Sequence, residues 1–600
     1  NGFYIQEPDA TVDADPATSE GIYVFTNSAP PAAAAVGNLV QVTGTVAEYV
    51  PSADPQQPPL TEITSPAVVL VSSGNPLPSA TPLTATFPDP AGPFDQLERV
   101  EGMRVSVASM TVVAPTMGSV NEANATGSSN GTFYGVVTGV ARPFREAGIR
   151  PSDAPPTGSI PPIPRWDGNP ELLSVDSDGL AGTTLVNVST GATIANVVGP
   201  LDYTFRYYRI LPEATLVPTG GKTPTAAAIP AGSEFTVASY NLERFFDTTN
   251  DPGITEPVLT ATAFNNRLTK ASLQVRNYLR TPDVLGVVEV ENLTTLQAHA
   301  TQINNDAVAA SQPNPLYTAY LVEGNDVGGI DVGFLVKTAP VVGATPRVTV
   351  NSVTQYGLTT TYVNPNTGAS ELLNDRPPLL LDAVVNHANG ATFPVTVIVN
   401  HLRSMNGVDD PTPSGTGTEG ARVRAKRNAQ AEYLANLIQG RQTATPAERI
   451  IAIGDFNAFD VNDGYVHMMG TIGGTPVPDN ETVVVGDGAD LVSPDLVNLV
   501  NTPPAAERYG YSFDGSAQNI DHVLVNGQVV SGTLARRIEH PRVNVDFPET
   551  DRSVYGASVT RLSDHEPVVS YFQVAAFLTA DLSVTKTDSP DPVVAGTNLT

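Results

Sequence analysis

Apolar residues in the first 230 positions come in short runs separated by clusters of Pro, Gly, Ser and Asn. Such runs occur at Phe3–Gln6, Gly21–Thr26, Leu39–Val50, Ala67–Ser72, Val105–Val113, Phe133–Val140, Leu185–Val188 and Tyr203–Ile210. None is long or periodic enough for a helix, and together they predict an all-β region. Near residue 232 the texture changes. Phe235–Ser239 reads as a strand, and Phe264, Leu268, Ala271, Val275 and Leu279 fall at helical spacing within Ala261–Arg280. Thr281 and Pro282 stop that helix, and Val284–Val290 then reads as a strand buried on both faces. A second helix is predicted from about Ala421 to Ile438, with Arg422, Arg424, Lys426 and Arg427 near its start. Further strands are predicted at Val332–Lys337, Leu379–Asn386, Pro394–Asn400, Ile450–Gly454, Asp521–Val525 and Val568–Gln573. Mixed strands with few helices predict an α+β unit, a layered sandwich over about 232–575, preceded by the all-β region.

Composition sets outer bounds. Hydrophobic residues make up 41% of the 600, enough for packed cores. No apolar run approaches the ~18 residues that span a bilayer, so no membrane-spanning segment is expected. Cysteine is absent, so disulfides stabilise nothing. The chain opens Asn-Gly-Phe without Met, basic n-region or apolar h-region, and is expected to be a mature or excised segment. Acidic residues number 61 against 31 basic, a net charge of −30. Such a surface repels nucleic acid unless cations or a local basic patch compensate. It fits a secreted protein, a salt-tolerant one, or one that binds divalent cations.

The candidate chemistry sits at the ends of the apolar runs. Residues 449–459 carry the clearest case: Ile450–Ile453 is a buried-type strand, Gly454 ends it, and Asp455 and Asn457 follow two residues apart. On an extended backbone those two side chains leave the strand's carboxyl end on the same side. Alone, this pattern is more often an Asx-turn. Its company changes the weighting. Asn241 and Glu243 follow the strand at 235–239, Glu289 ends the run from Val284, and Asn400-His401 follows Pro394–Val399. Asp521-His522 follows Asn519-Ile520, and Ser563-Asp564-His565 precedes Val568. Each has a mundane reading as cap, turn or surface charge, but one site assembled from many strand ends explains them all.

These stretches resemble a known family. Ser-Tyr-Asn-Leu-Glu at 239–243, Pro-Asp-Val-Leu-Gly-Val-Val-Glu at 282–289, Val-Asn-His at 399–401, Gly-Asp-Phe-Asn at 454–457, Ile-Asp-His-Val-Leu at 520–524 and Ser-Asp-His-Glu-Pro-Val at 563–568 resemble the endonuclease/exonuclease/phosphatase superfamily, to which deoxyribonuclease I belongs. Asn-Leu-Glu-Arg-Phe-Phe-Asp at 241–247 and Glu-Val-Glu-Asn at 289–292 look most like its extracellular bacterial nuclease branch. The resemblance implies a two-layer β-sandwich flanked by helices and a metal-dependent attack of water on a phosphodiester. Asn241, Glu243 and Glu289 would hold a divalent ion, with Asp564 beside it. Hard oxygen ligands suit Mg²⁺ or Mn²⁺, and structural Ca²⁺ fits the same chemistry elsewhere. Asp455 would position or deprotonate the water, Asn457 would bind a phosphoryl oxygen, His565 would act on the phosphate oriented by Asp521, and His401 would protonate the leaving oxygen. Two departures stand out: Val288 where many members have Gln, and Glu243 where Asp is frequent. Asp331 is the acidic partner offered for His401.

Arg244, Arg376 and Arg403 flank the motifs and are candidates for backbone phosphates, with a solvated or structural role weighed equally. His522 points away from Asp521 on its strand and is expected to be structural, while His299, His387, His467 and His540 sit in ordinary surroundings. Gly-Phe-Tyr-Ile-Gln at 2–6, Gly-Ile-Tyr-Val-Phe at 21–25 and residues 36–46 resemble OB-like β-barrel modules found ahead of large secreted bacterial nucleases. Residues 581–596 resemble the start of an Ig-like repeat of bacterial surface proteins. The expected organisation is thus an OB-like module at 1–115, a second β-rich region or linker at 116–231, the catalytic domain at 232–577 and a truncated repeat at 578–600. The function expected is a secreted or cell-surface nuclease acting on DNA, with RNA also open. A phosphomonoesterase or phospholipid phosphodiesterase of the same fold, and a surface adhesion protein without activity, are the alternatives. Oligomeric state is not legible.

Overall fold

A computed structural model describes residues 1–574 except 154–155, 157–162 and 487. The expected Ig-like start at 578–600 and most of the Pro-rich connector lie outside these residues. Two six-stranded sheets face each other over the second half of the chain. The first runs, in order, 317–321, 331–337, 284–290, 234–245, 568–574 and 533–539. The second runs 348–355, 379–386, 392–401, 450–455, 521–525 and 497–498. Between them lies one apolar core, with Phe235, Val237, Val288 and Phe334 from the first sheet against Leu381, Val397, Val399, Ile451, Ile453 and Val523 from the second. At Gly286 the sheets approach so closely that a Cβ would sit 2.6 Å from Ile453 Cδ1.

The outer faces are covered by helices. Helices α1 (Ala261–Asn277) and α2 (Leu293–Ala309) pack Leu268, Ala271, Val275, Leu296, Ala300 and Ile303 onto the first sheet. Helix α3 (Glu419–Ala444) packs Ala431, Leu434 and Ile438 onto the second. The N-terminal caps are Thr260, Asn292 and Thr418, whose side chains accept hydrogen bonds from Ala263, Thr295 and Ala421 N–H respectively. The helix–sheet–sheet–helix layering is the sandwich expected for 232–575. Alternation along 450–453 explains the continuous apolar run: Ile451 and Ile453 face the opposite sheet, Ile450 and Ala452 the helix.

The topology places the polar strand ends together. Strand 234–245 runs parallel to 284–290, and 392–401 parallel to 450–455. Each parallel pair lies inside its sheet and is joined through a helix, so both carboxyl ends emerge at one edge. Strands 568–574 and 521–525 run antiparallel beside these pairs, with Ser239 opposite Val568 and Asp455 opposite Asp521. Their amino ends, and the residues just before them, therefore reach the same edge.

The first 230 residues differ from the expected division. Strands 104–114, 132–137, 173–176, 207–210 and 192–204 pair in that order, and 192–204 closes back on 104–114. This five-stranded ring, with its core of Val105, Val107, Phe133, Val175, Ile194 and Leu201, straddles the boundary set at 115/116. Residues 2–72 instead form a separate four-stranded sheet, ordered 2–6, 21–25, 60–72, 39–49. The shift has a simple cause: ring closure pairs segments about ninety residues apart, which local periodicity cannot reveal. Leu185–Val188 is not a strand, and Tyr203–Ile210 is broken by a turn with Phe205 and Arg206 at positive φ.

Candidate active site

Glu289, His401 and Asp455 come from three strand ends in two sheets, and each offers a ligand atom within 4.8 Å of the others. His401 Nε2 lies 3.7 Å from Glu289 Oε1 and 3.6 Å from Asp455 Oδ2. Asn241 bridges the two carboxylates, its Nδ2 donating to Glu289 Oε1 at 3.2 Å and to Asp455 Oδ2 at 3.3 Å. The Arg244 N–H donates to Glu289 Oε2 at 2.9 Å. Glu289 itself sits at φ +63, where the strand breaks register, and this turns its side chain into the site.

Asp455 is fixed from the other side. Its Oδ1 accepts the Asn457 N–H at 2.7 Å and its Oδ2 the Asn457 amide at 3.2 Å, so the Asx-turn reading is also true. Gly454 makes that turn feasible: its φ is +128, and a Cβ would sit 2.0 Å from Asn400 O. His565 pairs through Nδ1 with Asp521 Oδ2 at 2.6 Å, and its Nε2 lies 3.9 Å from both Asp455 Oδ2 and Asp564 Oδ1. Ser563 locks this corner, donating to Asn241 O at 2.8 Å and accepting from His565 N–H at 3.0 Å.

Burial raises Glu289, and it raises Asp455 to about 7, helped by the charge of Asp521 against the opposing pull of His565. Burial also holds His401 well below its ordinary value, so it is neutral and its contacts to the carboxylates are not ion pairs. Burial works against the charge on His565 too, but Asp521 and Asp564 outweigh it and hold it well above the ordinary range. The site thus gathers more buried carboxylates than its own cations offset. A hard divalent ion fits that deficit, and the donor set of Glu289, Asp455 and the Asn241 amide oxygen, after a half-turn, is of the right kind.

The remaining expected residues are distributed as follows. Glu243 is not among the three grouped ligand atoms; its carboxylate is paired with Arg552 at 2.7 Å, and burial and the charge of Asp564 raise it to about 7. Asp564 is partly exposed beside His565. Arg376 pairs with Asp326 at 2.5 Å and donates to Leu402 O at 3.3 Å, next to His401. Arg244 pairs with Glu122 at 2.8 Å. Arg403 reaches only Ser404 Oγ and Asn406 O at 3.4 Å and has no ion pair among the described residues, so it is the freest of the three. Asp331 accepts from Gly324 N–H, burial and then the neighbouring Glu323 raise its carboxyl to about 8, and it is not the partner of His401. Nδ1 of His401 has no hydrogen-bond partner among the described residues. His522 is structural in its contacts, meeting Ala458 O at 2.8 Å and Asn498 at 3.1 Å.

Two neighbours were invisible in the sequence. Tyr511 packs its ring 4.8 Å from that of His565, and Arg552 holds Glu243. Both lie in segments without motif or periodicity.

A family model described as a domain of unknown function (DUF8508) matches residues 66–220, which contain the closed ring. No curated protein matches the chain. Among solved structures, the chain is similar to truncated TDP2 from Caenorhabditis elegans at 14% identity, over 57% of this chain and 98% of that one, with a TM-score of 0.32. It is also similar to an endonuclease/exonuclease/phosphatase family protein from Bacteroides thetaiotaomicron, at 16% identity over 58% and 98% of the two chains and a TM-score of 0.32. An endonuclease/exonuclease/phosphatase from Bacteroides vulgatus gives 14% identity, 57% and 99% coverage and a TM-score of 0.32.

Proposed function

We propose that the chain is a secreted or cell-surface, metal-dependent hydrolase that cleaves phosphodiester bonds in DNA, with RNA as a further substrate and little sequence preference. The observation that carries this reading is the meeting of Glu289, His401 and Asp455, with the Asp521–His565 pair beside them, at one edge of two sheets. Glu289, with Asp455 and Asn241 beside it, would hold a Mg²⁺ or Mn²⁺ ion, which would offset charge developing on the phosphoryl oxygens; Glu243, paired with Arg552, and Asp564, beside His565, flank that group. Asp455, held on both oxygens by Asn457, orients the attacking water and accepts its proton. The Asn457 amide would exchange Leu402 O for a phosphoryl oxygen, while its backbone N–H keeps its hold on Asp455 Oδ1. His565, kept cationic by Asp521, binds the phosphate. His401 is neutral at rest and takes up a proton as the anionic substrate enters, which it then gives to the leaving oxygen. Arg403, two residues beyond His401 and without an ion pair among the described residues, would meet a flanking phosphate, and Arg376, which donates to His401 O, would do so on leaving Asp326.

A plasmid-nicking assay tests the reading. Cleavage with Mg²⁺ or Mn²⁺ should vanish with chelator and fall about 10²- to 10⁴-fold in His401→Ala. Robust cleavage in chelator would sink the metal role. The net charge of −30 favours a second reading, a phosphatase or phospholipid phosphodiesterase whose smaller substrate meets less repulsion. Turnover of a phosphomonoester or lipid with no cleavage of any nucleic acid would establish it.

A further inference from the structure

A second group of carboxylates lies behind the candidate active site. Asp251 and Glu256, from the loop before α1, and Glu291, two residues beyond Glu289, each bring an oxygen within 4.8 Å of the others. Among the described residues no Lys, Arg or His forms an ion pair with any of the three. A separate observation concerns the innermost member. Glu291 is 2% exposed, and its Oε2 accepts from the Asp247 N–H and from Thr295 Oγ1, whereas its Oε1 is buried with no hydrogen-bond partner. The outer oxygen of Glu256 is in the same condition: Oε1 accepts the Asp251 N–H, and Oε2 has no partner. Leaving such atoms unpaired costs free energy that a bound cation would recover.

We propose that Asp251, Glu256 and Glu291 bind a divalent cation of the Ca²⁺ class, distinct from any ion at Glu289. The ligands are all hard oxygens, and two come from an irregular loop that can add backbone carbonyls and leave room for water. That suits the larger, geometrically tolerant Ca²⁺ better than Mg²⁺, which demands a near-ideal octahedron. The ion would tie the 247–256 loop to the strand end at 289–291. Glu291 N–H already donates to Phe245 O there, one residue from Arg244, whose own N–H holds Glu289.

The test needs no substrate, so it stands apart from the proposed function. The full chain, stripped with chelator, is titrated with Ca²⁺ by calorimetry, alongside Asp251→Asn/Glu256→Gln and, separately, Glu289→Gln. The expected result is a Ca²⁺ step present in the parent, lost in the double variant and retained in Glu289→Gln. Limited proteolysis gives a second readout: Ca²⁺ should slow cleavage within 247–259 in the parent and leave the double variant's rate unchanged. A Ca²⁺ step that survives in the double variant, a step lost only in Glu289→Gln, or no step at millimolar Ca²⁺ would each overturn the proposal.

Discussion

His401 and His565 show how one neighbourhood sets two imidazoles to opposite states. Both are fully buried, which favours the neutral ring, yet only His565 has a carboxylate on Nδ1. Asp521→Asn should therefore lower the His565 pKa, cut activity about 10²-fold near neutral pH and move the alkaline limb of the pH–rate profile toward lower pH. An unchanged profile would remove His565 from a cationic role. A stability effect is expected far from this site. Burial, and then the charge of Glu98, raise the Glu101 carboxyl to about 8 from an ordinary value of 4.5. The folded chain thus keeps a proton that the unfolded chain releases, so this contribution is complete below the ordinary range and is lost as pH rises toward about 8. Glu101→Gln should leave stability at pH 4 nearly unchanged and raise it at pH 8 to 9, as read by thermal melting. At this scale much of the site could be read from letters alone, because strand ends advertise themselves as Asn, Asp, Glu or His after an apolar run. What could not be read were partners from distant segments: Arg552 on Glu243 and Tyr511 on His565.

Among the elements, strand 450–455 bears the sharpest constraint. Gly454→Ala would force a side chain into positive φ against Asn400 O, and should cost at least about 3 kcal/mol, visible as a lower denaturant midpoint. Thr418→Ala removes the cap of α3 and should cost about 1 kcal/mol without affecting the ends of strands 392–401 and 450–455. Helices α1 and α3 followed from their periodicity, although α3 runs on to Ala444. Helix α2 did not: its inward face is Leu296, His299, Ala300 and Ile303, too weakly apolar to stand out beside Thr, Asn and Gln. Strands 348–355 and 533–539 carry no clear sequence signal because they lie at sheet edges, where half-exposed side chains blur the pattern.

Across the whole molecule, the N-terminal ring and the sandwich are stitched through backbone: Arg145 N–H to Ala517 O, Glu549 N–H to Thr116 O, and Thr190 N–H to Asp546 O. Asp546 is buried between Arg142 and Lys222, both from the N-terminal half. A chain restricted to 232–574 should melt several degrees lower and less cooperatively, because it loses these backbone hydrogen bonds, the Arg142 and Lys222 pairs to Asp546 and the surface covered by the N-terminal ring. Calorimetry of the two chains decides it. The charge of −30 carries its own expectation: moderate monovalent salt should leave DNA cleavage unchanged or faster, since it screens repulsion, whereas a basic nuclease would slow.

The small insertion at 120–127, between strands 104–114 and 132–137 of the ring, reaches across to the sandwich. Glu122 grips Arg244, Ala123 O receives the Thr260 N–H at the start of α1, and Ser553 Oγ both receives the Gly127 N–H and donates to Gly127 O. A transplant that cuts at residue 231 would carry off the candidate site and abandon its clasp. Any chimera meant to keep the strand ends at Glu289 and Asn241 in place should inherit that short arm along with the sandwich.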